Sequence, residues 1–269
     1  MNQKNPVLKS VMIFTFVMAL ITLVYMLISA FSNRNSQIVI DTETMKLVQL
    51  EEPEEGDPIA IVETSLGEFR FVLYPEYSPN AVNNFIELAE SGHYNNTYVF
   101  HSEESAYAGI GAPNKDGTMP DSYDESRELI ERELHQDLWP FKGAVCCMTT
   151  TVDRGLKEMI FGGGTYYCGS RLALINSIEF TDDVKNELLA SSEDTTLAEA
   201  FIEKGGIPNF SQQMTVIGQT YEGIEIVEAL TSLETEDSDS YKIPKEDIMI
   251  ISVEISEYSE EEKASPENK

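Results

Sequence analysis

The stretch VETSLGEFRFVLYPEYSPNAVNNFIELAESGHYNNTYVFH, residues 62–101, decides the fold. It opens with two apolar runs on either side of the turn SLG at 65–67, a pattern that predicts a β-hairpin. A helix is expected next, because Ser78 can cap its start, Gly92 can end it, and apolar residues recur between them at helical spacing. A short apolar run then leads into His101, so the stretch predicts two strands, a helix and a third strand.

The rest of the chain adds further strands and helices. Strands are predicted in GAVCCMTT (143–150) and DIMIISVEI (247–255), and MTVIGQTYEGIEIVEAL (214–230) predicts a strand, a turn and a helix. A short helix is expected around SRELIERELHQ (126–136). Residues 177–213 are interpreted as an insertion with a helical hairpin, since both of its apolar-periodic segments begin with a threonine suited to capping. The patterns predict a mostly β domain with two principal helices.

An uncharged apolar run at residues 11–31 precedes the domain. It is long enough to cross a bilayer as a helix, which takes about 20 apolar residues. A cleaved signal peptide is the alternative, but its apolar core is usually only about 7–15 residues long, and no small-x-small cleavage site follows here. We therefore expect an uncleaved single-pass anchor. Lys4 and Lys9 before the run, against Arg34 after it, favour a cytoplasmic N-terminus at residues 1–10 and an extracytoplasmic C-terminal domain at the cell membrane.

Acidic segments flank the predicted domain, and the formal net charge of the chain is −29. Residues 32–58, which include LEEPEEGDP, are expected to form a stalk, because this composition buries too little apolar surface to fold alone. Residues 258–269 are expected to be a disordered acidic tail. Binding to nucleic-acid phosphates needs clustered Lys and Arg, so the charge excludes a nucleic-acid partner. Contact with the membrane is expected only through the N-terminal helix.

The chain has three cysteines, Cys146, Cys147 and Cys168. Neighbouring residues on a strand point to opposite faces, so Cys146 and Cys147 are poorly placed to form a disulfide with each other. The sequence has no C-x-x-C motif and only three histidines, and it does not predict a zinc site. Buried free thiols are expected, with no metal or cofactor.

In this order, the predicted elements resemble the cyclophilin-type peptidyl-prolyl cis-trans isomerases over residues 59–257. The stretch at 62–101 resembles the opening of that family nearly position for position. KGAVCCMTT resembles its GVLSMAN strand, MTVIGQTYEGIEIVEAL its HTVFGRVVEGMDVVDKI segment, and DIMIISVEI its closing strand. The fold that the resemblance implies is an eight-stranded antiparallel barrel capped by two helices.

The resemblance implies catalysed rotation about X–Pro peptide bonds, with polypeptides that contain such bonds as substrates. The barrier to this rotation is about 18–20 kcal/mol, and uncatalysed exchange takes roughly tens to hundreds of seconds. The reaction needs no nucleophile, metal or cofactor. In the family, an apolar pocket holds the proline. An arginine directly after the FH pair donates hydrogen bonds near the prolyl nitrogen and the carbonyl, and a Gln and an Asn help to hold the backbone.

The sequence departs from the family at the arginine position. His101 matches the histidine of the FH pair, but Ser102 stands in place of the arginine, and two glutamates follow it. Thr150 replaces the Asn, and the segment AYAGIGAP at 106–113 has no Gln. Losing one such donor typically lowers the rate by about 10²–10³-fold, so weak or absent turnover is expected.

The candidate site residues follow from the same resemblance. GTYYCG (164–169) offers Tyr167 for the pocket Phe, whereas GSRLALI (169–175) offers Arg171 for the Gln, and the sequence does not decide between them. The predicted catalytic residues are His101, Tyr107 and Arg171, and the predicted substrate-binding residues are Met148, Thr150, Tyr167, Phe210 and Met214. The alternatives are barrel core for the apolar residues, a surface or structural role for the arginine and a strand-end structural role for the histidine.

Two functions therefore stay open. One is a weak peptidyl-prolyl isomerase that assists the folding of exported proteins. The other is an inactive module that binds extended or proline-containing chains as a chaperone or scaffold. Ser102 in place of arginine is the feature on which the choice depends.

Overall fold

In the computed structural model of the chain, the hairpin predicted around residues 65–67 forms the first two strands of a closed β-barrel. The structure describes residues 37–119, 130–151, 166–192 and 194–260. The apolar run predicted to span a membrane, residues 11–31, lies outside these ranges. Within them, no helix is long and apolar enough to cross a bilayer.

Strands outnumber helices among the described residues. The strands are β1 (Pro58–Thr64), β2 (Gly67–Leu73), β3 (Thr97–Ser102), β4 (Tyr107–Ala112), β5 (Ile130–Glu131), β6 (Ala144–Thr151), β7 (Tyr166–Ile175), β8 (Thr215–Glu222), β9 (Thr235–Asp237), β10 (Lys242–Pro244) and β11 (Met249–Glu257). The helices are α1 (Pro79–Glu90), α2 (Asp182–Ser191), α3 (Thr196–Lys204) and α4 (Ile224–Thr231). Short 3₁₀ turns lie at Val48–Leu50 and Pro208–Phe210. The described parts of Val39–Thr150 and Tyr166–Lys269 belong to one compact unit.

Eight strands close the barrel. Their order around it is β4-β3-β11-β1-β2-β8-β6-β7, and antiparallel pairing between β4 and β7 closes the circle. β5 adds a short antiparallel pairing to β7, while β9 and β10 form a separate hairpin. The predicted mostly β, eight-stranded antiparallel barrel is therefore confirmed, and it is accompanied by four α-helices within the described ranges.

The barrel core forms where the apolar face of β2 packs against the apolar face of α1. Phe69, Phe71 and Leu73 occupy alternate positions of β2 and are all buried. Phe85 lies on the apolar face of α1, and its ring centroid is 5.6 Å from that of Phe71. Removing each such side chain from water contributes about 1.5–3 kcal/mol. The apolar residues at alternate positions of β2 and those at helical spacing on α1 thus pack against each other.

The N-terminus of α1 is capped from a distant segment. Ser78 occupies the N-cap position, but its Oγ donates to the Val216 carbonyl at 2.8 Å and does not accept from the helix. Instead, the Glu133 carboxylate accepts from the amides of Asn80 and Ala81 at 3.3 and 2.8 Å. A carboxylate at this end also interacts favourably with the helix dipole.

The helix predicted at residues 126–136 is wrong over its described part. Ile130–Glu131 form β5 against β7, and the residues from there up to 136 contain no helix. Pairing with β7 and the capping contact of Glu133 with α1 fix this segment from outside. These tertiary contacts outweigh a helix propensity of a few tenths of a kcal/mol per residue.

The predicted insertion at 177–213 contains α2 and α3. Thr181 caps α2, because its side-chain oxygen accepts from the Val184 amide at 3.4 Å. Thr195 makes no such bond at the start of α3, where the Asp194 carboxylate accepts from the Thr196 amide instead. A hairpin of two helices is thus present, with a different cap on each helix.

Residues 39–58, which the composition places in an acidic stalk, pack against the barrel. Gln49 is 1% exposed and hydrogen-bonds to Trp139 and Gln219. A satellite cluster joins this segment to α3; its members include Ile40, Met45, Leu47, Trp139, Phe141, Ala200 and Phe201. Apolar residues that lie between the acidic ones make this contact. The average composition of the segment does not reveal them. At the other end, Tyr258 is buried, although it falls in the predicted tail.

Candidate functional site

Alternate side chains of β6 enter two different apolar clusters. Val145 and Cys147 belong to the barrel core, whereas Ala144, Cys146 and Met148 belong to a second cluster. We name this second group the site cluster. Its buried members are Leu138, Ala144, Cys146, Ala173, Ile175, Ile207 and Val216, and its partly buried members are Val48, Tyr74, Tyr77, Ala106, Tyr107, Met148, Ile178, Phe210 and Met214.

Four of the predicted pocket residues meet in the site cluster. Tyr107, Met148, Phe210 and Met214 are all partly buried members, so each leaves part of its side chain accessible. The rings of Tyr107 and Phe210 lie 6.1 Å apart at an interplanar angle of 65°. The fold therefore collects a partly accessible apolar surface from β4, β6, the 3₁₀ turn at Pro208–Phe210 and the residue before β8.

Thr150 and Tyr167 lie outside the site cluster. Thr150 shares its face of β6 with Met148, because strand side chains alternate with a period of two. Tyr167 pairs in register with Glu131 of β5. By the same period, Tyr167 and Arg171 share one face of β7. The two candidate matches, Tyr167 for the pocket Phe and Arg171 for the Gln, therefore lie on the same face of one strand.

Arg171 brings a guanidinium to the edge of the site cluster. It shares its face of β7 with Ile175, a buried member of the cluster. Its Nη1 donates to the Gly117 carbonyl at 2.8 Å and to the Tyr241 hydroxyl at 3.0 Å. Burial raises the pKa of Tyr107 to about 12, and Tyr241 and Glu103 add to the shift, whereas the charge of Arg171 opposes it. Arg171 is fixed in place and half-buried, unlike an ordinary surface arginine.

His101 is 5% exposed and has a structural partner. Its Nδ1 accepts from the Lys242 amide at 3.0 Å, so the neutral ring carries its proton on Nε2. The ring packs on that of Tyr107 with centroids 4.4 Å apart. Burial lowers the pKa of His101, the carboxylate of Glu103 opposes the shift, and Lys242 adds to it. A neutral, backbone-bonded histidine positions the end of β3 and Tyr107.

Ser102 is internal. It is 2% exposed, and its Oγ accepts from the Leu233 amide at 3.1 Å, which ties the end of β3 to the segment after α4. The β3–β4 ladder shifts register between Val99 and His101, and a bulge of this kind re-aims the side chains beyond it. The position at which the resemblance implies an arginine is therefore committed to a structural hydrogen bond.

The β9–β10 hairpin completes the surroundings of His101, and sequence patterns do not predict it. Tyr241 packs edge-on to the His101 ring with centroids 5.9 Å apart, and Lys242 forms an ion pair with Glu103. Glu104 is exposed. The two acids after Ser102 thus differ, since the first fastens the hairpin and the second faces solvent. The only local signal for the hairpin is one aromatic residue within the polar segment TEDSDSYK.

The arrangement suits binding and polarisation of a neutral amide. It offers partly exposed apolar side chains, one guanidinium and the phenol hydroxyls of Tyr107 and Tyr241. In the part of the chain that the structure describes, no group of three or more His, Cys, Asp or Glu side chains is placed to hold a metal ion.

The fold is a closed, eight-stranded antiparallel β-barrel, and it carries the site cluster and an arginine that two hydrogen bonds hold. The family model described as "Cyclophilin type peptidyl-prolyl cis-trans isomerase/CLD" matches residues 59–255, and the chain belongs to this family.

Two bacterial relatives and one solved structure are similar to the chain. It is 28% identical over 219 residues to a Streptococcus pyogenes protein named as a bifunctional phosphatase/peptidyl-prolyl cis-trans isomerase, covering 81% of this chain and 42% of that protein. It is 26% identical over 197 residues to a Staphylococcus saprophyticus protein named as a peptidyl-prolyl cis-trans isomerase, covering 73% of this chain and 91% of that protein. The crystal structure of a Cryptosporidium parvum cyclophilin type peptidyl-prolyl cis-trans isomerase is 16% identical, with a TM-score of 0.49, and covers 76% of this chain and 99% of that one.

Proposed function

We propose that the chain is a membrane-anchored peptidyl-prolyl cis-trans isomerase of low turnover that assists the folding of exported proteins. The observation that carries the proposal is the site cluster, in which Tyr107, Met148, Phe210 and Met214 meet, while Arg171 shares its face of β7 with Ile175 of the same cluster. Family membership supports X–Pro bonds as the substrate. The anchor and the extracytoplasmic placement rest on the sequence.

The site residues can act on an X–Pro bond without covalent chemistry. The bond resists rotation because of its double-bond character, with a barrier of about 18–20 kcal/mol. The apolar surface holds the proline ring, and a guanidinium at its edge can donate to the amide as conjugation is lost. Gly117 and Tyr241 hold Arg171 in position. A donor that is already oriented stabilises the twisted amide without reorganising at the moment of rotation.

Two features support low turnover. Ser102 brings no charge, and its hydroxyl is bonded to the Leu233 amide. Arg171 approaches from β7, and its Nη1 already serves two acceptors. A removed or diverted donor in such a site lowers the rate by about 10²–10³-fold, so turnover should lie at least about a hundredfold below that of relatives that keep the arginine.

A protease-coupled Xaa-Pro assay on the full chain in detergent tests the proposal. Arg171→Ala should lower kcat/KM at least about tenfold, because the donor is lost. Phe210→Ala should raise KM, because it removes apolar surface. Tyr241→Phe keeps the guanidinium but removes the hydroxyl that holds it, so this variant measures the effect of the partner alone. Val39→Ala, at a residue 92% exposed, is the control and should change nothing. Turnover equal to that of arginine-bearing relatives, or unchanged turnover in Arg171→Ala, contradicts the proposal.

A second candidate function is a binding module for extended or proline-containing chains. The observation that favours it is the internal position of Ser102, whose hydroxyl is bonded to the Leu233 amide and offers the substrate no donor in place of the arginine. Titration with a proline-containing peptide separates the two. Binding that Phe210→Ala weakens, with no turnover in the parent, would favour the binding module.

The retained anchor has its own test. The uncharged run at residues 11–31 motivates it. Intact-mass analysis of the protein extracted from membranes should give the mass of the full chain. A mature N-terminus after Ile28 would show that the run is a cleaved signal and would remove the anchor from the proposal.

A further inference from the structure

The three cysteines occupy two different environments. Cys146 is buried in the site cluster, whereas Cys147 belongs to the barrel core and Cys168 packs against that same core. Cys147 lies on β6 and Cys168 on the neighbouring strand β7. Neither thiol takes part in the proposed isomerase chemistry, so a reaction between the two does not depend on whether the chain rotates X–Pro bonds.

The sheet brings these two thiols together. β6 and β7 are neighbouring strands, and Thr215 of β8 is the register partner of Cys147. The sulfur of Cys168 lies 3.1 Å from the Thr215 Oγ1, so both cysteines converge on one threonine. Residues paired across a ladder share a face of the sheet, so Cys147 and Cys168 lie on one face of two neighbouring strands. From this arrangement a cross-strand disulfide, whose Cβ atoms are about 3.5–4.5 Å apart, can form.

We propose that Cys147 and Cys168 form a modification site that a small disulfide oxidant converts into an intramolecular disulfide. The Cys168 thiolate attacks one sulfur of the oxidant, which forms a mixed disulfide and releases the first thiol. The Cys147 thiolate then attacks the Cys168 sulfur, which forms the cross-strand bond and releases the second thiol. Two electrons pass from the cysteine pair to the oxidant, and the two cysteine protons end on its two thiols.

Exposure and hydrogen bonding set the order of these steps. Cys168 is partly exposed and admits the oxidant, whereas Cys147 is buried. The hydrogen bond from Cys147 lowers the pKa of Cys168; burial opposes the shift, Thr215 and the Glu133 amide add to it, and the Glu133 charge opposes it. The same shared hydrogen bond, followed by burial, raises the pKa of Cys147. Because the thiolate is the nucleophile, Cys168 attacks first. The mixed disulfide on Cys168 removes the shared hydrogen bond that is the main cause of the raised pKa of Cys147, and the Cys147 thiolate then attacks the adjoining Cys168 sulfur.

Cys146 is an internal control for this chemistry. It neighbours Cys147 on β6 but points to the opposite face, into the site cluster. Burial raises its pKa well above the ordinary value. A buried thiol of this kind in apolar surroundings is inert, so it should keep its proton and stay out of the exchange.

Thiol mapping of the full chain in detergent tests the proposal. The protein is treated with oxidised glutathione, quenched with acid, alkylated under denaturing conditions and digested. We expect free thiols to fall from three per chain to one, with Cys146 alkylated and a peptide that links Cys147 to Cys168. Dithiothreitol should restore all three. The oxidised form should melt higher by about 5 °C, because the cross-link restricts the unfolded chain.

Single substitutions separate the steps. Cys146→Ser should still form the link, Cys147→Ser should stop at a mixed disulfide on Cys168, and Cys168→Ser should form no link. Should a variant fail to fold, the map of the parent protein decides alone. Three free thiols after excess oxidant, or a link that includes Cys146, would overturn the proposal.

Discussion

Two neighbouring residues at the end of β3 are buried for structural reasons. The Nδ1 of His101 accepts from the Lys242 amide, and the Oγ of Ser102 accepts from the Leu233 amide. Each bond satisfies a backbone donor that a connecting segment would otherwise leave unpaired inside the protein. An arginine at position 102 would have to displace the segment after α4 to reach a substrate. The absence of the arginine is thus accompanied by hydrogen bonds that tie the surrounding segments together. A single substitution does not account for this arrangement.

We expect Ser102→Arg to destabilise the protein without restoring an isomerase. A buried guanidinium without a partner, together with an unpaired Leu233 amide, should lower the free energy of unfolding by about 3–5 kcal/mol. Ser102→Ala, the matched control, loses only the hydrogen bond and should cost about 1–2 kcal/mol. Urea unfolding followed by the fluorescence of Trp139, the single tryptophan of the chain, measures both. A Ser102→Arg variant of parental stability and raised turnover would refute the structural role of this position.

At the scale of elements, the hairpin β9–β10 shows where sequence reasoning stops. The strands β1 and β2 and the helix α1 carry their own periodicity and are predictable from it. The hairpin strands have three residues each, and the hairpin is fastened to His101, 141 residues away along the chain from Lys242. Contacts of this kind leave no local pattern.

The residues of the candidate site likewise divide into those that the sequence predicts and those that it does not. Tyr107, Met148, Phe210 and Met214 could be named in advance because the resemblance supplies positions for them, and the barrel then brings them together. Tyr241 has no such position and no periodic segment around it. Its place beside Arg171 depends on how the hairpin folds back onto β3 and β7, which only the assembled structure defines.

The hairpin should loosen at acid pH through His101. Protonation places a hydrogen on Nδ1 and removes the acceptor of the Lys242 amide. The pKa of His101 is lowered mainly by burial, with the Glu103 carboxylate opposing the shift and the Lys242 charge adding to it. The unfolded chain therefore binds this proton first. Stability from this group is complete above the ordinary pKa of about 6.5 and is lost as the pH falls from there through the lower folded pKa.

Hydrogen exchange measured from about pH 7.5 down to about pH 5 tests this expectation, because the ordinary histidine pKa of about 6.5, at which the loss of stability begins, lies in that window. Amides of residues 235–244 should lose protection as the pH falls, after correction for the intrinsic rate, while those of β1 and β2 keep theirs. His101→Gln is the control, since its side-chain oxygen can accept from the amide and does not titrate. Equal acid sensitivity in the parent and in His101→Gln would refute the role of the histidine.

For the whole molecule, the folded unit begins before the first barrel strand. Ile40, Met45 and Leu47 pack in the satellite cluster with α3, and Gln49 reaches into the barrel wall. The acidic residues of the same segment face solvent, as the exposure of Glu51 and Glu52 shows. The segment that leads into the barrel is therefore fastened by a few buried groups, although its composition is that of a solvated linker.

We expect Gln49→Ala to release this segment from the barrel. The Nε2 of Gln49 donates to the Trp139 carbonyl and the Gln219 Oε1, both at 2.9 Å, and its Oε1 accepts from the Trp139 amide at 2.5 Å. Truncation leaves three buried polar groups without this partner. Each unpaired group costs about 1–3 kcal/mol before relaxation, so we expect a loss of about 2–4 kcal/mol in the free energy of unfolding.

Limited proteolysis and thermal unfolding of the full chain in detergent measure the release. Cleavage within residues 39–52 should appear in Gln49→Ala at protease levels that leave the parent intact, and the Tm should fall. Leu50→Ala, at the neighbouring residue, which is 43% exposed, is the matched control and should behave as the parent. A parental digestion pattern in Gln49→Ala would show that the apolar contacts of the satellite cluster fasten the segment by themselves. Because Gln219 lies on β8, which pairs with β6 of the site, loss of peptide binding in Gln49→Ala would further show that this segment also sets the geometry of the site cluster.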